Sequence, residues 1–187
     1  VEIPDVARIY ADSLWEATKD GDNPMDDYHT YEELTSELQG IAAAHSDICY
    51  LESIGQSVQG RELWFLKISD NVGVEEDEPE FKYISTMHGD EPVGTEMCLY
   101  LIEYLMENYG TDSLATFLVD ETEIWIMPMM NPDGNTLHQR GNANGVDLNR
   151  NFPDFVVGPD NDTTGLERET KLIMLWEEEQ NSILSAN

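Results

Sequence analysis

The sequence predicts an α/β fold, and two patterns support that prediction. Two runs rich in β-branched and aromatic residues, "ICYLESIG" and "ELWFLKIS", are separated by a polar segment that contains a glycine, which is typical of a hairpin-like pair of strands. A third run of this kind, "FKYISTM", is followed by apolar residues at helical spacing, Val93, Met97, Leu101 and Leu105. A strand that leads directly into a helix is the repeating unit of α/β proteins.

The remaining elements are predicted from capping and spacing signals. Thr30 and Glu33 form a capping box ahead of an amphipathic helix that extends to His45. Apolar spacing and Gly or Pro punctuation predict five further elements, namely helices at 93–109, 113–119 and 166–178 and strands at "EIWIMP" and "SILSAN".

The chain is expected to contain one domain preceded by an arm. Residues 1–27 mix acidic residues, prolines and a glycine around one short amphipathic run, so we expect an N-terminal arm there and a domain at 28–187. A Gly- and Asn-rich stretch at 130–165 reads as a long loop, and loops of that length are usually functional or disordered.

The charge is strongly unbalanced, because 39 acidic residues face 9 basic ones and give a formal net charge of −30. Such a chain repels phosphate backbones and anionic membrane surfaces, so we expect no nucleic-acid and no membrane partner. Both a solvated acidic surface and attraction of cationic substrates are compatible with this charge.

Cys49 and Cys98 form no CxxC pair, and the sequence leaves open whether they are two buried thiols or one disulfide.

His88 and Glu91 are three residues apart where the predicted third strand gives way to a helix. An imidazole and a carboxylate at such a corner can converge on one point, which suits zinc. Catalytic zinc, however, needs three protein ligands and a water, so the pair on its own favours two surface residues over a metal site.

The segments "NPDG" and "RGNANGVDLNRNFPD" supply further polar groups downstream. "NPDG" on its own is a good turn sequence, because proline restricts φ and Asn or Asp can fold back on the backbone. Arg140 and Arg150 lie in one loop of otherwise small polar residues, and an arginine can bind a carboxylate with two parallel hydrogen bonds. An anion clamp and a solvated ion pair are both possible interpretations.

Taken in order, "MHGDE", "NPDG" and "GVDLNRNFPD" closely resemble the zinc metallocarboxypeptidases, in particular the branch of regulatory carboxypeptidases of the N, E and D type. The resemblance extends from about Tyr28 onward and includes "YHTYEEL" and "SVQGREL". It implies a three-layer α/β/α fold with a mixed central sheet that is incomplete at its C-terminal side. It also implies a zinc cofactor, peptide substrates with a free C-terminal carboxylate, and a secreted or periplasmic location.

The resemblance assigns roles to five residues. His88 and Glu91 match the first two zinc ligands, and Arg140 matches the arginine that polarises the scissile carbonyl. Asn149 and Arg150 match the pair that grips the terminal carboxylate of the substrate. These roles agree with the chemistry of the residue types, since a metal and a cation stabilise a developing oxyanion.

Three further family residues, a second histidine ligand, a tyrosine and a glutamate general base, cannot be assigned in this chain. His138 is the only histidine downstream of Glu91, and it lies in a loop where the family places no ligand. His29 and His45 flank the first helix and are expected at the surface. We therefore expect an N-terminal part of a catalytic domain that is inactive alone, with the missing C-terminal polypeptide as a candidate partner.

Two other functions remain as alternatives at this point. One is an inactive fragment or binding module, since a zinc peptidase without its general base lacks the group that activates water. The other is an aspartoacylase-like zinc deacylase, because those enzymes also combine an HxxE-type pair with a "DLNR" segment. The segments "NPDG", "NRNFPD" and "SVQGREL" favour the carboxypeptidases.

Overall fold

A computed structural model describes residues 28–74, 76–153, 162–180 and 184–186. Five strands within these ranges form one sheet in the order β1-β2-β4-β3-β5. β1 and β2 pair antiparallel, as do β2 and β4, whereas β3 runs parallel to both β4 and β5. The strands are β1 (Cys49–Gln56), β2 (Glu62–Ile68), β3 (Glu80–Ile84), β4 (Glu123–Met127) and β5 (Leu184–Ala186).

Helices cover both faces of this sheet. They are α1 (Tyr31–Ala44), α2 (Val93–Asn108), α3 (Ser113–Glu121), α4 (Pro132–Thr136), α5 (Arg168–Glu179) and a 3-10 helix at Leu148–Arg150. Across the described residues, none of the helices is long and apolar enough to cross a membrane.

The predicted strands and helices are each matched by an observed element. α4 and the 3-10 helix were not predicted and fall within the stretch expected to be a loop. Residues 154–161 of that stretch, and the predicted arm at 1–27, lie outside the described residues.

The start of α1 follows the capping prediction. The Thr30 hydroxyl accepts a hydrogen bond from the backbone N–H of Glu33, and the Glu33 carboxylate accepts one from the backbone N–H of Thr30. Two of the four N–H groups that a helix start leaves unsatisfied are thereby satisfied. Leu34 and Leu38, one turn apart, are buried against the sheet.

The central strand β4 shows why the fold has three layers. All five of its residues are buried, and successive side chains point to opposite faces of a sheet. Ile124 and Ile126 join a core cluster with residues of α1, α2 and α3, whereas Trp125 and Met127 join a second cluster with residues of α5. The predicted three-layer arrangement with a mixed central sheet is confirmed.

An aromatic cluster fills the layer between the sheet and α5. The Trp176 ring stacks on Phe65 with ring centroids 4.0 Å apart and an interplanar angle of 19°. Trp125 meets Trp176 edge to face, with centroids 5.2 Å apart. Aromatic pairs in these geometries contribute beyond their buried area, so Trp176 makes a large contribution to the packing of α5 on the sheet.

The two cysteines form no disulfide. Cys49 and Cys98 are both free and buried. Burial raises the pKa of each thiol to about 12, so both behave as small apolar side chains.

Trp176→Ala should destabilise the chain by about 3–5 kcal/mol, because it leaves a cavity beside Phe65 and Trp125. Leu175→Ala is the matched control in the same helix, since Leu175 is 42% exposed and its loss should cost less than about 0.5 kcal/mol. Urea unfolding of both variants tests this, and equal losses would show that α5 does not depend on the aromatic contact.

Candidate active site

The corner between β3 and α2 brings His88 and Glu91 together. α2 begins at Val93 with Pro92 at its N-cap, so Glu91 lies in the turn just before the helix. Thr86 adopts a left-handed backbone with φ 49°, which is unfavourable for a β-branched residue. Its hydroxyl lies 2.7 Å from that of Thr95 in α2, and this contact helps to hold the strained corner.

The two ring nitrogens of His88 face two different carboxylates. Nε2 donates to Oδ1 of Asp147 at 3.0 Å, because an ionised carboxylate can only accept. Nδ1 lies 3.3 Å from Oε2 of Glu91. With the Nε2 proton directed at Asp147, the Nδ1 lone pair of a neutral ring and the Glu91 carboxylate face each other, an arrangement that a cation between them stabilises.

Arg140 joins the two carboxylates from the other side. Its Nε donates to Oδ2 of Asp147 and its Nη1 donates to Oε1 of Glu91, each at 3.0 Å. The hydrogen bond to Asp147 has the largest effect on the pKa of Arg140, and together with Glu91 it raises that pKa. Partial burial acts to raise the pKa of Asp147, but the hydrogen bonds from Arg140 and His88 outweigh it and lower that pKa. Asp147 is therefore an ionised partner for the ring at neutral pH.

The geometry of the pair fits zinc. Two ligand atoms about 2.0 Å from a tetrahedral zinc ion are separated by roughly 3.3 Å. Nδ1 of His88 and Oε2 of Glu91 are 3.3 Å apart. The Nε2–H bond to Asp147 is the kind of contact that sets the tautomer and orientation of a ligating histidine. A third ligand is not available nearby, since the described residues form a three-ligand group only at Asp70, Glu76 and Glu78.

A cavity of about 390 Å³ opens beside the pair and is lined by His88, Glu91 and Asn149 among others. His138 lines a different cavity, with Gly89 and Asp90, and is exposed. The structure therefore places His138 away from the His88 and Glu91 cavity, so it does not supply the missing ligand.

Asn149 and Arg150 sit on the 3-10 helix at Leu148–Arg150. Leu148 is fully buried in the second core cluster, which anchors this short helix, while Asn149 and Arg150 are exposed. Asp147 caps the helix by accepting from the Asn149 N–H at 3.0 Å. The Arg150 guanidinium donates to the Asn149 carbonyl at 3.0 Å, and it is not among the side chains that line the cavity.

Comparison with known proteins identifies the family. Residues 34–185 match the family model described as zinc carboxypeptidase. The chain belongs to the zinc carboxypeptidase family. This membership decides between the carboxypeptidases and the deacylases that the sequence had left open.

The most similar relatives include regulatory carboxypeptidases. The chain is 46% identical to carboxypeptidase D of Rattus norvegicus in an alignment of 170 residues, and the match covers 86% of this chain and 12% of that protein. It is 43% identical to carboxypeptidase M of Mus musculus in an alignment of 174 residues, and the match covers 86% of this chain and 38% of that protein. The chain thus spans less than half the length of either relative.

The fold agrees with solved carboxypeptidase structures. Carboxypeptidase A of Helicoverpa armigera superimposes with a TM-score of 0.70 at 26% identity, covering 95% of this chain and 51% of that one. Thrombin activatable fibrinolysis inhibitor superimposes with a TM-score of 0.71 at 21% identity, covering 83% of this chain and 45% of that one. This chain corresponds to about half of each solved domain.

Asn131 of "NPDG" supports the corner between β3 and α2 that carries His88 and Glu91. The interpretation of "NPDG" as a simple turn did not predict this role. Its buried amide donates to the carbonyls of Met87 and Arg140, at 3.2 and 3.3 Å, and its Oδ1 accepts from the Gly134 N–H. The backbones approach so closely here that a Cβ on Gly89 would lie 2.0 Å from the carbonyl carbon of Gly134. Only glycine fits at position 89, directly beside His88.

Asp133 connects the same motif to the β1–β2 hairpin. Its fully buried carboxylate accepts from the Ser57 hydroxyl, the Gln59 N–H and Nη1 of Arg61, at 2.8, 2.8 and 2.7 Å. Both oxygens are thus satisfied inside the protein, as burial of a charge requires. Through Asp133, the predicted "SVQGREL" hairpin therefore supports the segment that carries Asn131.

The loop that carries Arg140 is ordered by a second buried network. Asn142 accepts from the backbone N–H groups of Asn144 and Val146, and its amide donates to Glu169 at 3.0 Å. The other oxygen of Glu169 accepts from the Val58 N–H at 3.1 Å. The start of α5 therefore links this loop to the hairpin, and the stretch expected to be functional or disordered is ordered in its described part.

Asp133→Ala should destabilise the chain by roughly 3 kcal/mol, because it leaves a half-buried arginine and two donors without their acceptor. Asp90→Ala is the control, since it removes the same charge from an exposed position near the site. Thermal unfolding of the two variants tests this. A loss no larger for Asp133→Ala than for Asp90→Ala would contradict the role of the buried carboxylate.

Proposed function

We propose that this chain forms the metal-binding part of a zinc carboxypeptidase that hydrolyses the C-terminal peptide bond of peptides. The observation that supports this most strongly is the 3.3 Å approach of His88 Nδ1 to Glu91 Oε2, with Nε2 committed to Asp147. Membership of the zinc carboxypeptidase family supports the same conclusion.

His88 and Glu91 would hold the metal through Nδ1 and one carboxylate oxygen. When bound, zinc supplies a Lewis acid and lowers the pKa of its water. Asp147 keeps the His88 ring in the orientation that presents Nδ1, and its charge makes the ring a stronger ligand. The buried position of His88, 8% exposed, limits the motion of the ring.

Arg140 would stabilise the negative charge that develops on the scissile carbonyl oxygen. Its guanidinium is half exposed, with 47% of the side chain accessible, and it lies against Glu91. A fixed cation next to the reacting carbonyl stabilises the transition state more than the same charge in water would, since it does not have to reorganise during the reaction. The bonds from Nε to Asp147 and from Nη1 to Glu91 fix the plane of this side chain.

Asn149 and Arg150 would bind the free carboxylate at the end of the peptide. Asn149 lines the cavity beside His88, and Arg150 is the next residue on the same 3-10 helix. Recognition of a carboxylate by arginine is charge-assisted and directional, which would restrict cleavage to the last peptide bond. In this structure Arg150 contacts the Asn149 carbonyl, so binding a peptide would require a change of its rotamer.

The isolated chain would lack a complete catalytic centre. The described residues provide two convergent ligands at the corner, and catalytic zinc takes three. We therefore propose that activity requires a further polypeptide that supplies the third ligand and the general base.

We also propose secretion or a periplasmic location on the basis of the family resemblance, and fractionation of the source cells tests it.

The 187-residue chain should bind zinc weakly and show no hydrolysis of C-terminal peptide bonds. His88→Ala should abolish binding at the corner, whereas His138→Ala should leave it unchanged because His138 lines another cavity. Zinc titration by calorimetry and a peptide hydrolysis assay test this. Full activity, or loss of zinc binding in His138→Ala, would contradict the ligand assignment.

In a full-length homologue with the equivalent arginine, Arg150→Ala should lower kcat/KM for peptides with a free terminal carboxylate by roughly 10- to 100-fold, because a charge-assisted contact is lost. The same peptides with an amidated C-terminus serve as the control and should be affected far less. Equal losses on both substrates would refute the carboxylate clamp.

A further inference from the structure

His29, expected at the surface, is instead held between two glutamates from different helices. Its Nδ1 lies 2.8 Å from Oε2 of Glu96 in α2, and its Nε2 lies 2.9 Å from Oε2 of Glu37 in α1. The backbone N–H of His29 donates to Oε1 of Glu96 at 2.8 Å. The Glu96 side chain is 6% exposed and that of His29 is 32% exposed, so the contact is largely sheltered from water.

This geometry favours a doubly protonated ring. Ionised carboxylates can only accept hydrogen bonds, and a neutral imidazole has only one N–H. In a neutral ring one nitrogen lone pair would face a carboxylate oxygen at less than 3 Å. The imidazolium form donates from Nδ1 to Glu96 and places Nε2, which carries part of its positive charge, 2.9 Å from Oε2 of Glu37.

The surroundings of His29 are acidic on every side that packs against it. Glu33 and Glu37 belong to α1, and Glu96 and Glu103 belong to α2. Asp90 and His138 face the ring across the shared cavity, which is about 380 Å³ in volume. Burial acts to lower the pKa of His29, but the hydrogen bond and charge of Glu96, with the charges of Glu37 and Glu33, outweigh it and raise that pKa above 6.5.

We propose that His29, Glu96 and Glu37 form a proton-dependent clamp between the start of α1 and the first turns of α2. The clamp is closed when the His29 ring carries two protons and is weakened when it carries one. Glu96 lies in the first turn of α2, five residues after Glu91, so the clamp connects the start of α1 to the helix that follows the corner carrying His88. The cavity between them is lined by His29, Thr30 and Glu33 on one side and by Gly89, Asp90 and Pro92 on the other.

The direction of the pH dependence follows from the protonated form. Because the folded chain binds this proton more tightly than the unfolded chain, the clamp contributes fully below the ordinary histidine pKa of 6.5. Its contribution is lost as the pH rises through the higher pKa of the folded state. The clamp would hold α1 in place in a mildly acidic compartment and loosen it in a neutral or alkaline one.

The test compares thermal unfolding of the metal-free chain, of His29→Gln and of His45→Gln, at two pH values. His29→Gln should lower Tm by about 2–4 °C at about pH 5.5 and by less than about 1 °C at about pH 8.5. His45→Gln is the matched control, since His45 caps the other end of α1, and it should follow the unsubstituted chain. No metal or substrate is present, so the result is independent of the proposed function.

A direct titration of the His29 ring by NMR, in the unsubstituted chain, keeps the test decisive if His29→Gln does not fold. The ring should titrate above the ordinary value of 6.5. A ring that titrates at or below that value would overturn the clamp. An equal loss of Tm at both pH values would also overturn it, because it would show a packing role that does not depend on the proton.

Discussion

The carboxylate of Asp147 is the interaction on which the candidate site depends. Oδ1 accepts from Nε2 of His88 and from the backbone N–H of Asn149, and Oδ2 accepts from Nε of Arg140. The next residue, Leu148, is fully buried, so the core fixes the position of this carboxylate. His88, Arg140 and Asn149, which we propose for metal binding, carbonyl polarisation and the carboxylate clamp, are thus all held by one side chain, which is anchored by apolar burial rather than by polar contacts alone.

Two basic side chains of this chain pair with buried carboxylates. Lys67 in β2 pairs with Glu123 in β4, and the two side chains are 6% and 1% exposed. Arg61 pairs with the fully buried Asp133. A buried pair rarely adds net stability, but removing one partner leaves a costly unpaired charge. The chain has 9 basic residues against 39 acidic ones, so we expect substitution of Lys67 or Arg61 to be costly.

Local sequence signals predicted the strands, most of the helices and the site motifs. They could not predict the contacts between residues that are far apart in the sequence. The capping box at Thr30 and the apolar run of β4 could be placed from the sequence, because neighbouring residues and burial on both faces determine them. His88, Glu91 and Arg140 were singled out from their motifs, and the fold brings them together. The support from Asn131 could not be predicted, since "NPDG" alone is a good turn and its partners lie elsewhere in the chain. His29 was misjudged for the same reason, because Glu96 is 67 residues away.

Anomalous diffraction at the zinc edge, from crystals of this chain soaked in zinc, tests the central claim most directly. We expect a peak bonded to Nδ1 of His88, at about 2.0–2.1 Å, and to a carboxylate oxygen of Glu91, with Nε2 still directed at Asp147. A peak bonded to Nε2 would show that Asp147 does not set the orientation of the ring. A peak found only at the acidic group of Asp70, Glu76 and Glu78 would contradict the assignment of the metal corner.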